Sequence, residues 1–183
     1  MLTYWHEGLG ISDYILYRLY TIIGYSLIAF FFYGNIISKT AKKIIIASYL
    51  FFLAYAIYDY IRQPLESFDS IPSAIEATLI IVFSIFYLFE QIKTPRVFFI
   101  YTLDKFWIIT SFLIYYTGTF FLFIFAEAYF ADPDFGDNYS FINSLFLLLK
   151  NVFFCIGLLI SSKPNEYPPD SYPPFENYLE NRI

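Results

Sequence analysis

Apolar positions in this chain run in long stretches with few polar interruptions, each close to the about 20 residues that cross roughly 30 Å of hydrocarbon as a helix. The stretches predict helices at Tyr14–Ile37, Lys43–Arg62, Ile71–Gln91, Lys105–Tyr129 and Tyr139–Ser161, together forming a transmembrane domain over residues 1–161. The expected fold class is all-α: an integral membrane bundle of about five transmembrane helices. In Asp69-Ser70-Ile71-Pro72, polar N-cap candidates precede a proline whose missing N–H costs nothing in a first turn, so the third helix is expected to begin there. The segment PRVFFIYTLDKF, between the third and fourth helices, fits either an amphipathic piece lying on the interface or a simple short loop. After Ser161 the pattern breaks, and residues 162–183 hold five of the nine prolines, four acids and two copies of Tyr-Pro-Pro. Such a stretch cannot build a core and is expected to be an extended or disordered Pro-rich cytoplasmic tail.

The sparse charges sort by side. Lys39, Lys42 and Lys43 follow the first helix, and Lys93, Arg96 and Lys105 flank the connection after the third. The loop AEAYFADPDFGDNYS carries Glu127, Asp132, Asp134 and Asp137 with no basic residue. The positive-inside rule then places the N-terminus outside and the tail in the cytoplasm, with the cell inner (plasma) membrane as the expected location. Trp107, Tyr101 and Phe106 at one edge, and Tyr129 and Tyr139 at the other, read as aromatic belts. The opening MLTYWHEGLG lacks a positive region ahead of an apolar core, so no removable signal peptide is read and the first helix is expected to direct insertion.

Composition strengthens this reading. Hydrophobic residues make up 58% of the 183, aromatic residues 25% and charged residues 15%, against about 25% charged in soluble domains. A net charge of −5 offers no basic surface to nucleic acid, and the lipid bilayer is the expected partner. His6 is the only histidine and Cys155 the only cysteine, so neither a metal nor a haem site is expected, nor an intramolecular disulfide. No phosphate-cradling loop or nucleophile elbow is present, and no cofactor and no enzymatic activity are expected.

Chemistry, if any, lies with ionisable groups inside the spans, where a charge at the bilayer centre costs about 2.5–3.5 kcal/mol on insertion scales. Lys150 falls near the middle of the fifth helix, on one face with Asn143, Leu147 and Phe154. Glu76 starts a stripe on the third helix that continues through Ile80, Ser84, Tyr87 and Gln91. Arg18, Asp59, Glu76, Glu127 and Asn143 all fall in the expected outer halves of their helices, which makes an outward-open polar cavity conceivable. The candidate binding residues are therefore Lys150, Glu76, Asn143, Asp59 and Arg18; buried pairs that fix helix register are the structural alternative. Lys150 is expected to face the interior, with Glu76 its preferred acceptor and Tyr115 or Ser84 the neutral alternatives. On the fourth helix Thr110, Ser111, Tyr115 and Gly118 read as a packing stripe of small and hydroxyl residues.

The runs SFDSIPSAIEATLIIVFSIFYLFEQIKTP, KFWIITSFLIYYTGTFFLFIFAE and FINSLFLLLKNVFFCIGLLI resemble a group of small uncharacterised bacterial multi-pass membrane proteins, similar to the membrane portions of sensor kinases. The resemblance covers Tyr14 to Ile160 and implies a sensing role without assigning any residue. The expectation is a non-enzymatic sensing or accessory subunit that contacts a membrane or cytoplasmic protein partner through the tail. The alternative is a small transporter or channel subunit using Lys150 and Glu76.

Overall fold

The computed structural model describes residues 13–62, 70–93, 100–129 and 133–161, so the predicted tail lies outside the described residues, as do positions 63–69, 94–99 and 130–132 of the loops. The described chain is all-helical: α1 (Asp13–Asn35), α2 (Lys39–Arg62), α3 (Ser70–Ile92), a 3₁₀ turn at Ile100–Thr102, α4 (Asp104–Tyr129) and α5 (Pro133–Ser161). Among the described residues four helices, α2 to α5, are long and apolar enough to cross a bilayer. The remaining one, α1, has a similar length of 23 residues.

The helix ends carry their own chemistry. α2 starts at Lys39, four residues earlier than the apolar pattern indicates, because Ser38 caps it: the Ala41 N–H donates to Ser38 Oγ at 3.4 Å and the Lys42 N–H to Ser38 O at 3.1 Å. α5 starts at Pro133, six residues before the predicted Tyr139. Proline in a first turn sacrifices no hydrogen bond, and a Cβ at the helical Gly136 would meet nothing within 4 Å. Residues that look like breakers thus open the helix.

Neighbours along the chain run antiparallel. Between α1 and α2, the Tyr25 and Phe52 rings meet at a tilt of 55° with centroids 4.4 Å apart, and Ser26 Oγ lies 3.1 Å from the Tyr49 hydroxyl. Between α4 and α5, Trp107 stacks on Phe153 at 5.8 Å and Phe112 meets Phe154 at 6.4 Å. α1 and α3 run parallel, with Phe32 against Phe83 at 6.0 Å. The core lies among α1, α3 and α4, where Tyr25, Phe32, Ile80, Phe83, Tyr87 and Ile109 are buried. α3 is the central helix, 39% of its apolar stretch being buried, whereas α5 is buried over only 6% and packs chiefly on α4. In lipid that exposure is ordinary, since hydrocarbon solvates leucine as well as another leucine does.

One polar tie locks the end that holds the lysines. Glu90, near the end of α3, accepts from the backbone N–H of Ile37 and of Ser38, both at 2.8 Å, and so places a carboxylate at the N-terminus of α2. Hydrogen bonds to a charged group contribute about 1.5–3 kcal/mol. Glu90→Ala should lower stability in detergent by about that amount, and Glu90→Gln by less, because its amide keeps one acceptor oxygen for two donors. Unfolding titrations with sodium dodecyl sulfate test the order.

Trp107 Nε1 donates to the Tyr101 carbonyl at 2.7 Å, just outside α4. Tyr129, Phe135 and Tyr139 form a ring chain at the opposite end, with successive centroids 5.9 and 6.2 Å apart. Trp107, Tyr101, Tyr129 and Tyr139 are among the residues expected to make up the aromatic belts, and Phe135 adds to them.

Candidate functional site

The stripe on α3 is the interior face of its helix. Glu76, Ile80, Ser84, Tyr87 and Gln91 are all buried, as their steps of three and four residues require if that face meets α1 and α4. At its head, the Glu76 side chain is 7% exposed, and Oε1 accepts from the Tyr116 hydroxyl of α4 at 2.9 Å. Gly24 of α1 closes the other side, since a Cβ there would stand 3.7 Å from the same oxygen. A Cβ at Gly24 would therefore rest in ordinary van der Waals contact with the carboxyl.

Lys150 is half-buried, with its ammonium 4.6 Å from the centroid of the Tyr115 ring, a cation–π distance. The Tyr115 hydroxyl donates to Asn143 Oδ1 at 3.1 Å, tying α4 to α5 two turns of α5 away from Lys150. The adjacent rings of Tyr115 and Tyr116 meet edge to face, 5.1 Å apart at 82°. Consecutive residues on a helix point about 100° apart, so Tyr115 serves α5 while Tyr116 serves α3. Glu76 and Lys150 therefore share one cluster without touching directly, the carboxyl bonded to Tyr116 and the ammonium seated over Tyr115. In place of the preferred carboxylate, Lys150 is seated on the Tyr115 ring.

The other candidates divide. Asn143 joins the cluster through Tyr115. Arg18 and Asp59 are buried on the α1 and α2 side, where the guanidinium carbon lies 4.8 Å over the Tyr60 ring, beside Asp59 in the chain. The side chain of Glu127 lies outside the described residues. Leu147 is exposed, and the buried face of α5 runs instead through Phe146 and Gly157, which pack on Gly118 and Ile108 of α4. Tyr116, Gly24 and Glu90 escape the sequence reading. Only the Tyr-Tyr doublet could have pointed to Tyr116, because a membrane tyrosine also reads as an interface anchor.

Several other hydroxyls of α4 bond to the backbone. Thr119 donates to the Tyr115 carbonyl at 2.7 Å, Ser111 to Ile108 at 2.6 Å, and Thr117 bonds to Leu113. Ser84 Oγ and Thr110 Oγ1 are buried without a partner among the described residues. Two grooves, of about 300 and 230 Å³, lie against α3, one by Ala74, Thr78 and Ile124 and the other by Ala41, Val82 and Phe86. No charged side chain lines either of them, and neither reaches Glu76 or Lys150.

Chemically, the cluster offers one carboxyl, one ammonium, two phenols and an amide. It can fix helix positions or hold a proton on Glu76. Among the described residues no three His, Cys, Asp or Glu side chains come together as a metal site. Compared with family models, curated proteins and solved structures, the chain matches none of them.

Proposed function

We propose that the protein is a non-enzymatic membrane module, a sensing or accessory subunit of the inner (plasma) membrane, with its N-terminus outside and its tail in the cytoplasm. The observation that carries this reading is the closure of the polar cluster: Glu76 is sealed between Tyr116 and Gly24, and its polar groups hold α3, α4 and α5 to one another. A transporter would need its charged groups on a water-filled path, and the two grooves beside α3 are apolar. The alternation of lysine-rich and acidic connections supports the orientation. The likeness to sensor-kinase membrane portions supports the sensing variant, and the Pro-rich tail is the segment assigned to partner contact.

A small transporter or channel subunit is the second reading, favoured by one observation: a cation on Tyr115 and a buried carboxyl on Tyr116 flank a tyrosine doublet within the spans. Two measurements separate the readings. Proteoliposomes containing the full chain should show no proton, sodium or potassium flux above empty vesicles, and a protein partner should co-purify from native membranes and be lost on deletion of residues 164–183. Flux that Glu76→Gln abolishes would replace the module reading with the transporter. For orientation, a single cysteine at position 134 in a Cys155→Ser background should react from outside and one at position 42 only from inside.

A further inference from the structure

The face of α5 turned away from α4 carries a pattern that lipid contact alone does not call for. Phe141, Ser144, Leu148, Asn151, Cys155 and Leu158 are all exposed, and their spacing of three, four, three, four and three residues is the heptad seam of a packed helix pair. At 100° per residue, the centre of this seam lies about 140° from the Asn143, Phe146, Lys150 and Gly157 face that α4 covers. Asn151 stands ten residues before the end of α5, about 15 Å along the axis and hence near the bilayer centre. Among the described residues its amide meets no partner, although an amide in hydrocarbon is expensive to leave unpaired.

We infer that α5 forms the interface of a parallel homodimer in which Asn151 of each copy hydrogen-bonds Asn151 of the other. A second copy fits for three reasons. All copies insert with one orientation, so a two-fold axis normal to the membrane brings each seam residue against itself. The carboxamide has both a donor and an acceptor, so it is its own complement across such an axis. The seam carries no charge that a differently charged partner would answer, while the small Ser144 and Cys155 on either side of Asn151 let the two backbones approach.

The native Cys155 supplies the probe. In vesicles holding the full chain, oxidation with copper phenanthroline should link Cys155 to Cys155 as a disulfide, the oxidant taking up both thiol protons and electrons. In a Cys155→Ser background, Ser144→Cys, Leu148→Cys and Leu158→Cys should also cross-link, while Leu145→Cys, Val152→Cys and Leu159→Cys should not. Energy transfer between labelled copies diluted into lipid should give a dissociation constant that Asn151→Leu raises at least about fivefold, equivalent to about 1 kcal/mol, and that Asn151→Gln leaves nearly unchanged. Monomers at every dilution, an unaltered constant for Asn151→Leu, or cross-linking confined to positions 145, 152 and 159 would each overturn the dimer. So would native membranes in which Cys155 is captured by a different protein and never by its own copy.

Discussion

Gly157→Val should pull α5 away from α4 and cost more than any other single substitution on that interface. A Cβ at Gly157 would stand 2.8 Å from Ile108 Cγ1, 3.0 Å from the Asp104 carbonyl oxygen and 3.3 Å from the Ile108 nitrogen. Two of these obstacles are main-chain atoms of the opposing helix, so no rotamer change relieves them. Overpacking typically costs about 1–3 kcal/mol, and an immovable neighbour puts Gly157→Val at the upper end of that range or beyond. Gly118 makes an instructive contrast, because its added Cβ would run into the ring of Phe146, a side chain that can move. Gly118→Ala should therefore be rescued by Phe146→Ala, whereas Ile108→Ala should rescue Gly157→Val only in part. Sodium dodecyl sulfate unfolding of the four single and two double variants measures this, and full rescue at Gly157 would show that the backbones can separate freely.

Tyr116→Phe should destabilise the bundle by about 1–3 kcal/mol, the cost of orphaning a buried polar group. The Glu76 carboxyl accepts the Tyr116 hydroxyl at 2.9 Å and is otherwise enclosed by α1 and α4. Removing both members together, as Tyr116→Phe with Glu76→Met, should recover most of the loss, since two apolar groups of similar size can replace a pair at little net cost. The cycle should be non-additive by more than about 0.5 kcal/mol. Lys150→Met combined with Glu76→Met should lie closer to additivity, because the ammonium rests on the Tyr115 ring at 4.6 Å and leaves the direct bond to Glu76 to Tyr116. If the Lys150 cycle coupled more strongly than the Tyr116 cycle, the assignment of Tyr116 as the principal tie would fail.

Helix number and the inward stripe of α3 were legible in the sequence because polar groups in a lipid solvent must face protein, and α3 carries enough of them to mark a side. α2 shows where this ends. Its buried Ile45 and Phe52 and its exposed Ile44, Ile46, Leu50 and Phe51 are the same residue types, since the surrounding lipid is as apolar as the core. Periodicity cannot then tell inside from outside. The start of α5 was hidden for a different reason: proline and glycine in DPDFGD read as a loop until the first-turn tolerance of proline is taken into account. Glu90 reads as a solvated helix end, and its bond to the turn before α2 depends on the parallel course of α1 and α3, a tertiary fact. The Glu76 and Lys150 neighbourhood was legible as a place, whereas the partition of that pair by Tyr115 and Tyr116 was not, because depth along a helix does not fix which intervening ring each group meets.

The tie made by Glu90 also constrains the order of biogenesis. It spans 53 residues to Ile37 and 52 to Ser38, so the turn between the first two helices leaves the ribosome and enters the bilayer before its acceptor has been synthesised. Until α3 arrives, the two amides rely on water at the membrane surface, and the α1–α2 hairpin remains free to slide in depth. Arrival of Glu90 fixes that depth and converts three separately inserted segments into one unit. A nascent chain halted before residue 90 should therefore hold its first two helices at variable depth, and one halted after α3 has cleared the ribosome should hold them in register.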